Sequence, residues 1–294
     1  RHTDYAGKYA GMLVEESNPV ILKDMGFSDE LARVNSAKSE FIAAAETGDN
    51  WASSDIYAEM LASTCEKIAA AAAENRSRLR ENENGVFIAD DKNSENSALS
   101  AVFKSVQTAY SALGSQNELF GNPVFSAKSV HFSNMLSRLD ISGIYIPYTA
   151  EANVNTEQPA LLLFASAAHE TAHYFGFARE DEANFIACLA CSFSEDRAFR
   201  YSGYLLGWIH ATNALADVDR DAYQKCVARL ETEVREDLAR NNQFWDRYDT
   251  KTAKVANQIN DTYLKANLQE DGVKSYGRVV DLMLAYRKLE KRGE

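Results

Sequence analysis

Two histidines and a glutamate lie within the pentapeptide His169-Glu170-Thr171-Ala172-His173. On a helix, a spacing of four residues places both imidazoles on one face, one turn apart, where they can reach a single metal ion. Glu170 has the position of the general base in the HExxH zinc hydrolases. In that chemistry the histidines bind Zn²⁺ and the glutamate takes a proton from the attacking water. The pentapeptide therefore predicts a hydrolytic zinc site.

A catalytic zinc site needs a third protein ligand, and the acidic residues after the pentapeptide supply the candidates. On a helix beginning at Glu180, that residue and Asn184 share a narrow face made mostly of small residues, which allows close approach to the metal helix. Glu180 is therefore the predicted ligand, and Glu182, which points roughly the other way, is the alternative. Asn184 either orients a ligating side chain by a hydrogen bond or is a polar packing residue.

Other side chains with catalytic potential are weaker candidates. Tyr201 and Tyr276 are candidates to stabilise the oxyanion of a tetrahedral intermediate, although the chain has 14 tyrosines. The remaining histidines are interpreted as structural: His2 is terminal, His131 follows a strand, and His210 is expected to face out of an apolar helix.

The composition favours a helical, globular protein. The chain has 294 residues, 46% of them hydrophobic, with only four prolines and 14 glycines. Its net charge of −12 and lack of a basic cluster argue against a nucleic-acid partner. No apolar stretch is long enough to span a membrane. Cys188 and Cys191 form a CxxC inside an apolar helical stretch, where packing is favoured over a redox role.

Periodicity and turn signals predict the elements that position the site. The predicted helices cover 29–46, 53–80, 97–114, 132–139, 160–174, 180–193, 194–216, 219–248, 252–269 and 275–291. Strands are expected over 124–130 and 143–149, with a polar loop over 151–159. With no linker or repeat, the expectation is one domain over 1–294, with a helical part (1–119) and a metal-site core (120–294). The fold class is α+β, mainly helical, with a small sheet beside the HExxH helix.

The strand beginning at Gly143 has a functional interpretation as well. Pro147 cannot donate a ladder hydrogen bond, which places this strand at a sheet edge or ends it there. An exposed edge before the metal helix could pair with an extended peptide through Ile144, Tyr145 and Ile146. The alternative is plain closure of the sheet.

Several separated motifs resemble a bacterial family, the domain of unknown function 3810. The resemblance rests on residues 143–155, 169–173, 176–185, 200–204, 260–267 and 275–278. It implies a zincin-like metallopeptidase domain, preceded in the full-length protein by transmembrane helices and lying outside the cytoplasm. The Glu-x-x-Ala-Asn pattern that begins at Glu180 is also similar to the third-ligand motif of other HExxH peptidase families.

These observations predict a membrane-anchored zinc metallopeptidase acting on a peptide or protein substrate. His169, His173 and Glu180 hold the zinc, and Glu170 acts as the general base. The alternative is a non-hydrolytic metal-binding sensor or assembly module that uses the peptidase-like cleft to hold a protein partner. A purely structural interpretation would require no metal at all.

Overall fold

A computed structural model describes residues 32, 36, 52–81, 95–116, 120, 127–248 and 277–293. The predicted helices over 29–46 and 252–269 therefore lie almost wholly outside the described residues. The helices are α1 (Ala52–Arg76), α2 (Glu95–Gln116), α3 (Ser133–Arg138), α4 (Ala160–Tyr174), α5 (Glu180–Ser192), α6 (Arg197–Val218), α7 (Arg220–Ala228), α8 (Thr232–Asp246) and α9 (Gly277–Gly293). The strands are β1 (Lys128–Ser129), β2 (Gly143–Ile146) and β3 (Glu151–Val154). A mainly helical fold with a small sheet is thus confirmed.

The HExxH helix, α4, occupies the centre of this arrangement. It contacts helices α5 and α6 and strands β2 and β3, and α2 also packs against it. Leu161, Phe164, Ala168 and Ala172 are all buried, so apolar residues surround the helix on several faces. Burial on several faces fixes the position of α4 and hence of its two histidines.

Helix α4 ends where the sequence predicts, at a glycine. Gly176 has a φ of 97°, in the left-handed region that favours glycine. The Gly176 N–H donates to the carbonyl of His173, and the Phe177 N–H donates to the carbonyl of Ala172. These two bonds form a Schellman motif, which turns the chain sharply back toward the last turn of the helix.

The sheet has the order β1-β3-β2, with β1 parallel and β2 antiparallel to β3. The prediction of a loop over 151–159 is therefore wrong at its start, because residues 151–154 form the central strand. The sequence Glu-Ala-Asn-Val carries little strand signal of its own, and its pairing on both sides supplies the stability. β2 ends at Ile146, directly before Pro147, and is an edge strand as predicted.

The predicted helix over 219–248 is two helices. α7 ends at Ala228, and turn hydrogen bonds join the Arg229 and Leu230 N–H groups to carbonyls three residues earlier. Leu230 is buried at this break. No glycine or proline marks the position, so the break follows from burial of Leu230 rather than from a local stop signal.

Helices α5 and α6 approach each other closely through two glycines. A Cβ added to Gly203 would lie 2.2 Å from the Cβ of Cys191, and one added to Gly207 would lie 3.7 Å from the Sγ of Cys188. Both cysteines are free thiols. This contact agrees with the interpretation of the CxxC as helix packing. None of the helices in the described residues combines the length and apolar character needed to cross a membrane.

Candidate metal centre

The side chains of His169, His173 and Glu180 converge near the C-terminal end of α4. The Nε2 atoms of His169 and His173 lie 3.1 Å apart. A carboxylate oxygen of Glu180 lies 3.2 Å from the Nε2 of His169, and its other oxygen lies 3.6 Å from the Nε2 of His173. Glu180 is the first residue of α5, so the turn after α4 brings it back over the two imidazoles.

The separations fit a tetrahedral metal ion. Zinc binds imidazole nitrogen and carboxylate oxygen at about 2.0–2.2 Å, which places two ligand atoms of a tetrahedron about 3.3–3.6 Å apart. The three separations in the structure, 3.1, 3.2 and 3.6 Å, lie in or just below that range. In the described residues, His169, His173 and Glu180 are the one group of His, Cys, Asp or Glu side chains close enough together to hold a metal. The donor set, two imidazoles and one carboxylate, is that of several catalytic zinc sites.

The backbone fixes which nitrogen of His173 faces the cluster. Its Nδ1 lies 2.6 Å from the carbonyl oxygen of Phe177. A carbonyl can only accept, so Nδ1 carries the hydrogen and Nε2 of the neutral ring presents a lone pair to His169 and Glu180. The Schellman turn at Gly176 is what brings this carbonyl under the ring. The turn therefore fixes the orientation of His173 in the way that suits a metal ligand.

The electrostatics of the cluster favour a positive charge between these groups. Burial lowers the pKa of His169, but the hydrogen bond and charge of Glu180 outweigh it and raise this pKa to about 9. Burial alone would raise the pKa of Glu180, yet His169 and His173 lower it to about 2. Burial and the nearby His169 lower the pKa of His173 to about 4, so its ring stays neutral. A cation placed between the three side chains would meet the ionised carboxylate of Glu180 and the neutral imidazole of His173.

Glu170 is buried beside the cluster but is not a member of it. A Cβ added to Gly143 of β2 would lie 2.5 Å from its Oε1, so the carboxylate packs directly beneath the strand. Burial raises the pKa of Glu170 to about 8, and the charge of Glu180 adds to the rise while that of His169 opposes it. A carboxylate with a pKa near neutrality is suited to accept and return a proton.

The free edge of β2 runs beside Glu170. The Asn155 N–H donates to the Ser142 carbonyl, so the register makes Ile144 and Ile146 the residues that exchange hydrogen bonds with β3. The backbone N–H and C=O groups of Gly143 and Tyr145 therefore point to the outer edge. No strand of the described part of the chain pairs with that edge.

The side chains of β2 alternate between two faces. Gly143 and Tyr145 face α4: the ring of Tyr145 lies 6.1 Å from that of His173, measured between centroids. Ile144 and Ile146 lie on the opposite face. Of the three residues predicted to bind substrate, the structure thus brings only the side chain of Tyr145 to the cluster of His169, His173 and Glu180.

A polar side chain ties β2 to α4. The Gln158 amide nitrogen donates to the Ser142 carbonyl at 2.9 Å, and its oxygen accepts from the Ser166 hydroxyl at 3.0 Å. Ser142 precedes Gly143, and Ser166 lies one turn before Glu170 on α4. Gln158 therefore holds the start of the edge strand at a fixed distance from the helix that bears Glu170.

Asn184 and Glu182, the other two candidates on α5, have different surroundings. Asn184 is buried, and its side chain, like that of Glu180, raises the pKa of His169. The Nδ1 atom of His169 is itself buried and has no hydrogen-bond partner in the described residues. Glu182 is buried away from the cluster, with a carboxylate oxygen 3.9 Å from Arg179, and burial raises its pKa to about 8.

The structure does not bring Tyr201 to the site, so its prediction as an oxyanion stabiliser is wrong. Its hydroxyl donates to Asp237 at 2.8 Å, in a buried network with Arg76. That long-range partner, 36 residues away, leaves no trace in the local sequence. Tyr276 lies outside the described residues.

The histidines outside the pentapeptide also differ in their placement. His131 is exposed, and His2 lies outside the described residues. His210 was expected to face outward, but it is half-buried, and burial together with the charge of the nearby His169 lowers its pKa to about 4. Its position on α6, which packs against α4, explains the difference. His210, Gly143 and the Phe177 carbonyl are the residues at the site that sequence reasoning missed.

Comparison with known proteins gives a family and no characterised relative. A search of the curated proteins finds no match to the chain, and a search of the solved structures finds none either. One family model matches residues 35–284, which include the three candidate metal ligands, the edge strand and most of the described helices. The chain therefore belongs to the family described as proteins of unknown function, DUF3810.

Proposed function

We propose that the protein is a zinc-dependent metallopeptidase with a zincin-like core, in which His169, His173 and Glu180 hold the metal. The observation that carries the proposal is the convergence of these three side chains at tetrahedral spacing, with a buried carboxylate, Glu170, beside them. Two imidazoles oriented by helix geometry and a carboxylate from the next helix are a donor set suited to Zn²⁺.

Zinc bound at the site would supply a Lewis acid that lowers the pKa of water to about 7 and polarises a carbonyl group. Glu170 then accepts a proton on its carboxylate from the water that attacks the scissile carbonyl. It later donates that proton to the departing amine. The raised pKa of Glu170 supports its return of the proton, and the positive charge of a bound zinc would lower this pKa toward the range in which the carboxylate accepts one.

The edge of β2 supports an extended peptide as substrate. The outward N–H and C=O groups of Gly143 and Tyr145 offer the hydrogen bonds of one added strand. Gly143 lies against Glu170 and Tyr145 lies against His173, so a strand paired there would pass over the metal cluster. Backbone pairing needs an unfolded or flexible segment, which indicates a peptide or a loop rather than a folded surface.

The experiment is cleavage of an unstructured peptide library by the zinc-loaded protein, with Glu170→Gln as the matched control. The proposal expects cleavage that a chelator abolishes. It also expects the variant to keep its zinc and lose about 10²–10⁴-fold in rate. Full activity in Glu170→Gln would refute the role of Glu170. Zinc binding by the wild type without any cleavage would instead support the non-hydrolytic module.

A further inference from the structure

We infer that four aromatic residues, Tyr110, Phe120, Phe175 and Phe177, position His173 and so set the affinity of the protein for zinc. This group is called the aromatic cluster below. The inference rests on the proposed metal site, but it concerns residues that would not touch the metal. Tyr110 lies on α2 and Phe120 follows that helix, so part of the helical N-terminal region would act directly on the metal site.

The rings form a continuous set of contacts that ends at His173. Tyr110 stacks on Phe175 with centroids 5.0 Å apart, and Phe175 meets Phe120 edge-on at 5.7 Å. Phe120 stacks on Phe177 at 5.7 Å with the planes 10° apart. The carbonyl of Phe177 accepts the Nδ1 hydrogen of His173 at 2.6 Å. All four rings are buried.

A second contact joins the aromatic cluster directly to α4. The Tyr110 hydroxyl donates to the carbonyl of Ala168 at 2.7 Å, in the buried interior. Ala168 directly precedes His169, so the cluster holds the backbone at both histidines. Tyr110 reaches this carbonyl from 58 residues away in the sequence.

The carbonyl of Phe177 needs such support because the turn that carries it is inherently permissive. Gly176 has no side chain to restrain its φ of 97°, and the bonds that close the turn join backbone groups. Stacking of Phe177 on Phe120 fixes the residue after that glycine. A shift of this carbonyl would free the Nδ1 hydrogen and allow the lone pair of His173 to move to the wrong nitrogen.

The magnitude follows from what such partners contribute elsewhere. Removing the hydrogen-bond partner of a metal-bound histidine typically weakens metal binding 10–100-fold. Phe120→Leu removes the ring that stacks on Phe177 and keeps an apolar side chain in the core. We expect it to weaken zinc binding about 10-fold. Tyr110→Phe keeps the ring and removes only the bond to Ala168, so its effect should be smaller.

Phe199→Leu is the control for general loosening of the core. Phe199 is fully buried and packs edge-on against Phe164 of α4, with centroids 5.6 Å apart. The substitution Phe199→Leu therefore loosens the packing of α4 and leaves the four rings of the aromatic cluster unchanged. Its zinc affinity should stay within about threefold of the wild type, even if its loss of stability equals that of Phe120→Leu.

The test measures zinc affinity by chelator competition and the tautomer of His173 by ¹⁵N NMR of the metal-free protein. We expect a single Nδ1–H tautomer in the wild type and in Phe199→Leu, and mixed tautomers with weaker zinc binding in Phe120→Leu. An unchanged tautomer in Phe120→Leu, or equal zinc loss in both variants, would overturn the inference. A wild type that binds no zinc would refute the proposed function, whereas the NMR comparison would still decide whether the aromatic cluster positions His173.

Discussion

Gly143 and Glu170 are in direct contact: a Cβ on Gly143 would lie 2.5 Å from the Oε1 and 2.8 Å from the Cδ of Glu170. No real Cβ approaches carboxylate atoms this closely, so only glycine fits without displacement of Glu170. The contact couples the edge of the sheet to the proposed general base. It explains how a buried carboxylate can lie beneath the strand that is proposed to bind substrate.

Gly143→Ala should therefore displace Glu170 while leaving the three proposed zinc ligands in place. We expect zinc affinity within a few fold of the wild type and a large loss of hydrolysis, approaching that of Glu170→Gln. Overpacking of this kind also lowers the free energy of unfolding by about 1–3 kcal/mol. Kinetics and zinc titration on the folded variant separate the two effects.

Gly207→Ala is the matched control for this substitution. A Cβ there would lie 3.1 Å from the Cε of Met283, the far end of a flexible side chain that can move aside. Its hydrolysis rate should stay near that of the wild type. Equal losses in the two variants would show that Gly143 has no particular connection to Glu170.

Glu180→Gln and Glu182→Gln distinguish the two candidate ligands. Glu180→Gln removes the anionic donor from the cluster and should weaken zinc binding by more than the roughly 10–100-fold that loss of an outer hydrogen-bond partner costs. Glu182 is buried away from the cluster with a pKa raised to about 8, so a neutral amide replaces a mostly neutral acid. Glu182→Gln should leave zinc affinity nearly unchanged. The reverse order, measured by chelator competition, would assign the third ligand to Glu182.

Tyr201→Phe should affect stability and not chemistry. The substitution removes a buried hydrogen bond to the Asp237 carboxylate, which also binds Arg76, and should lower the free energy of unfolding by about 2 kcal/mol. Urea denaturation measures this change. For comparison, Glu236→Gln breaks an exposed ion pair with Arg240 and should change stability by less than about 1 kcal/mol. A fall in the hydrolysis rate of folded Tyr201→Phe would return Tyr201 to the site.

The free energy of unfolding should fall in mild acid because the folded protein disfavours protonation of His210. Burial and the nearby His169 lower its folded pKa to about 4 from an ordinary value of 6.5, so the unfolded chain binds the proton more readily. Its contribution to stability is complete above pH 6.5 and is lost as the pH falls toward 4. The loss amounts to at most about 3.4 kcal/mol. His210→Gln removes this titration.

The measurement compares the free energies of unfolding of the wild type and His210→Gln at pH 7 and at pH 4.5. The gap between the two proteins should change by about 2–3 kcal/mol over this interval, in the direction that penalises the wild type in acid. The many carboxylates of the chain affect both proteins alike and cancel in the comparison. A gap independent of pH would show that His210 is not held neutral by the fold.

The sequence predicted the elements whose signals are local. The bounds of α4 follow from its apolar residues and from Gly176, and the edge position of β2 follows from Pro147. The central strand β3 was missed because its stability comes from pairing on both sides rather than from its own residues. The structures around Tyr201 and His210 were missed for a related reason, since partners on distant helices decide them.

The candidate site also combines features that the local sequence predicts with contacts that it does not predict. The spacing of His169 and His173 and the helical face of Glu180 are local properties, readable from the sequence at 100° per residue. The contact between Gly143 and Glu170 and the carbonyl of Phe177 beneath His173 depend on how the sheet and the turn pack against α4. Such contacts between backbone and side chain have no residue signature beyond a glycine at the point of approach.

The most direct test of the metal site is anomalous diffraction at the zinc absorption edge, from crystals of the protein grown with zinc. The account predicts one strong peak about 2.0–2.2 Å from the Nε2 atoms of His169 and His173 and from a carboxylate oxygen of Glu180. Absence of a peak at these three residues, in crystals that contain zinc elsewhere, would contradict the account. A peak ligated by Glu182 in place of Glu180 would contradict it as well.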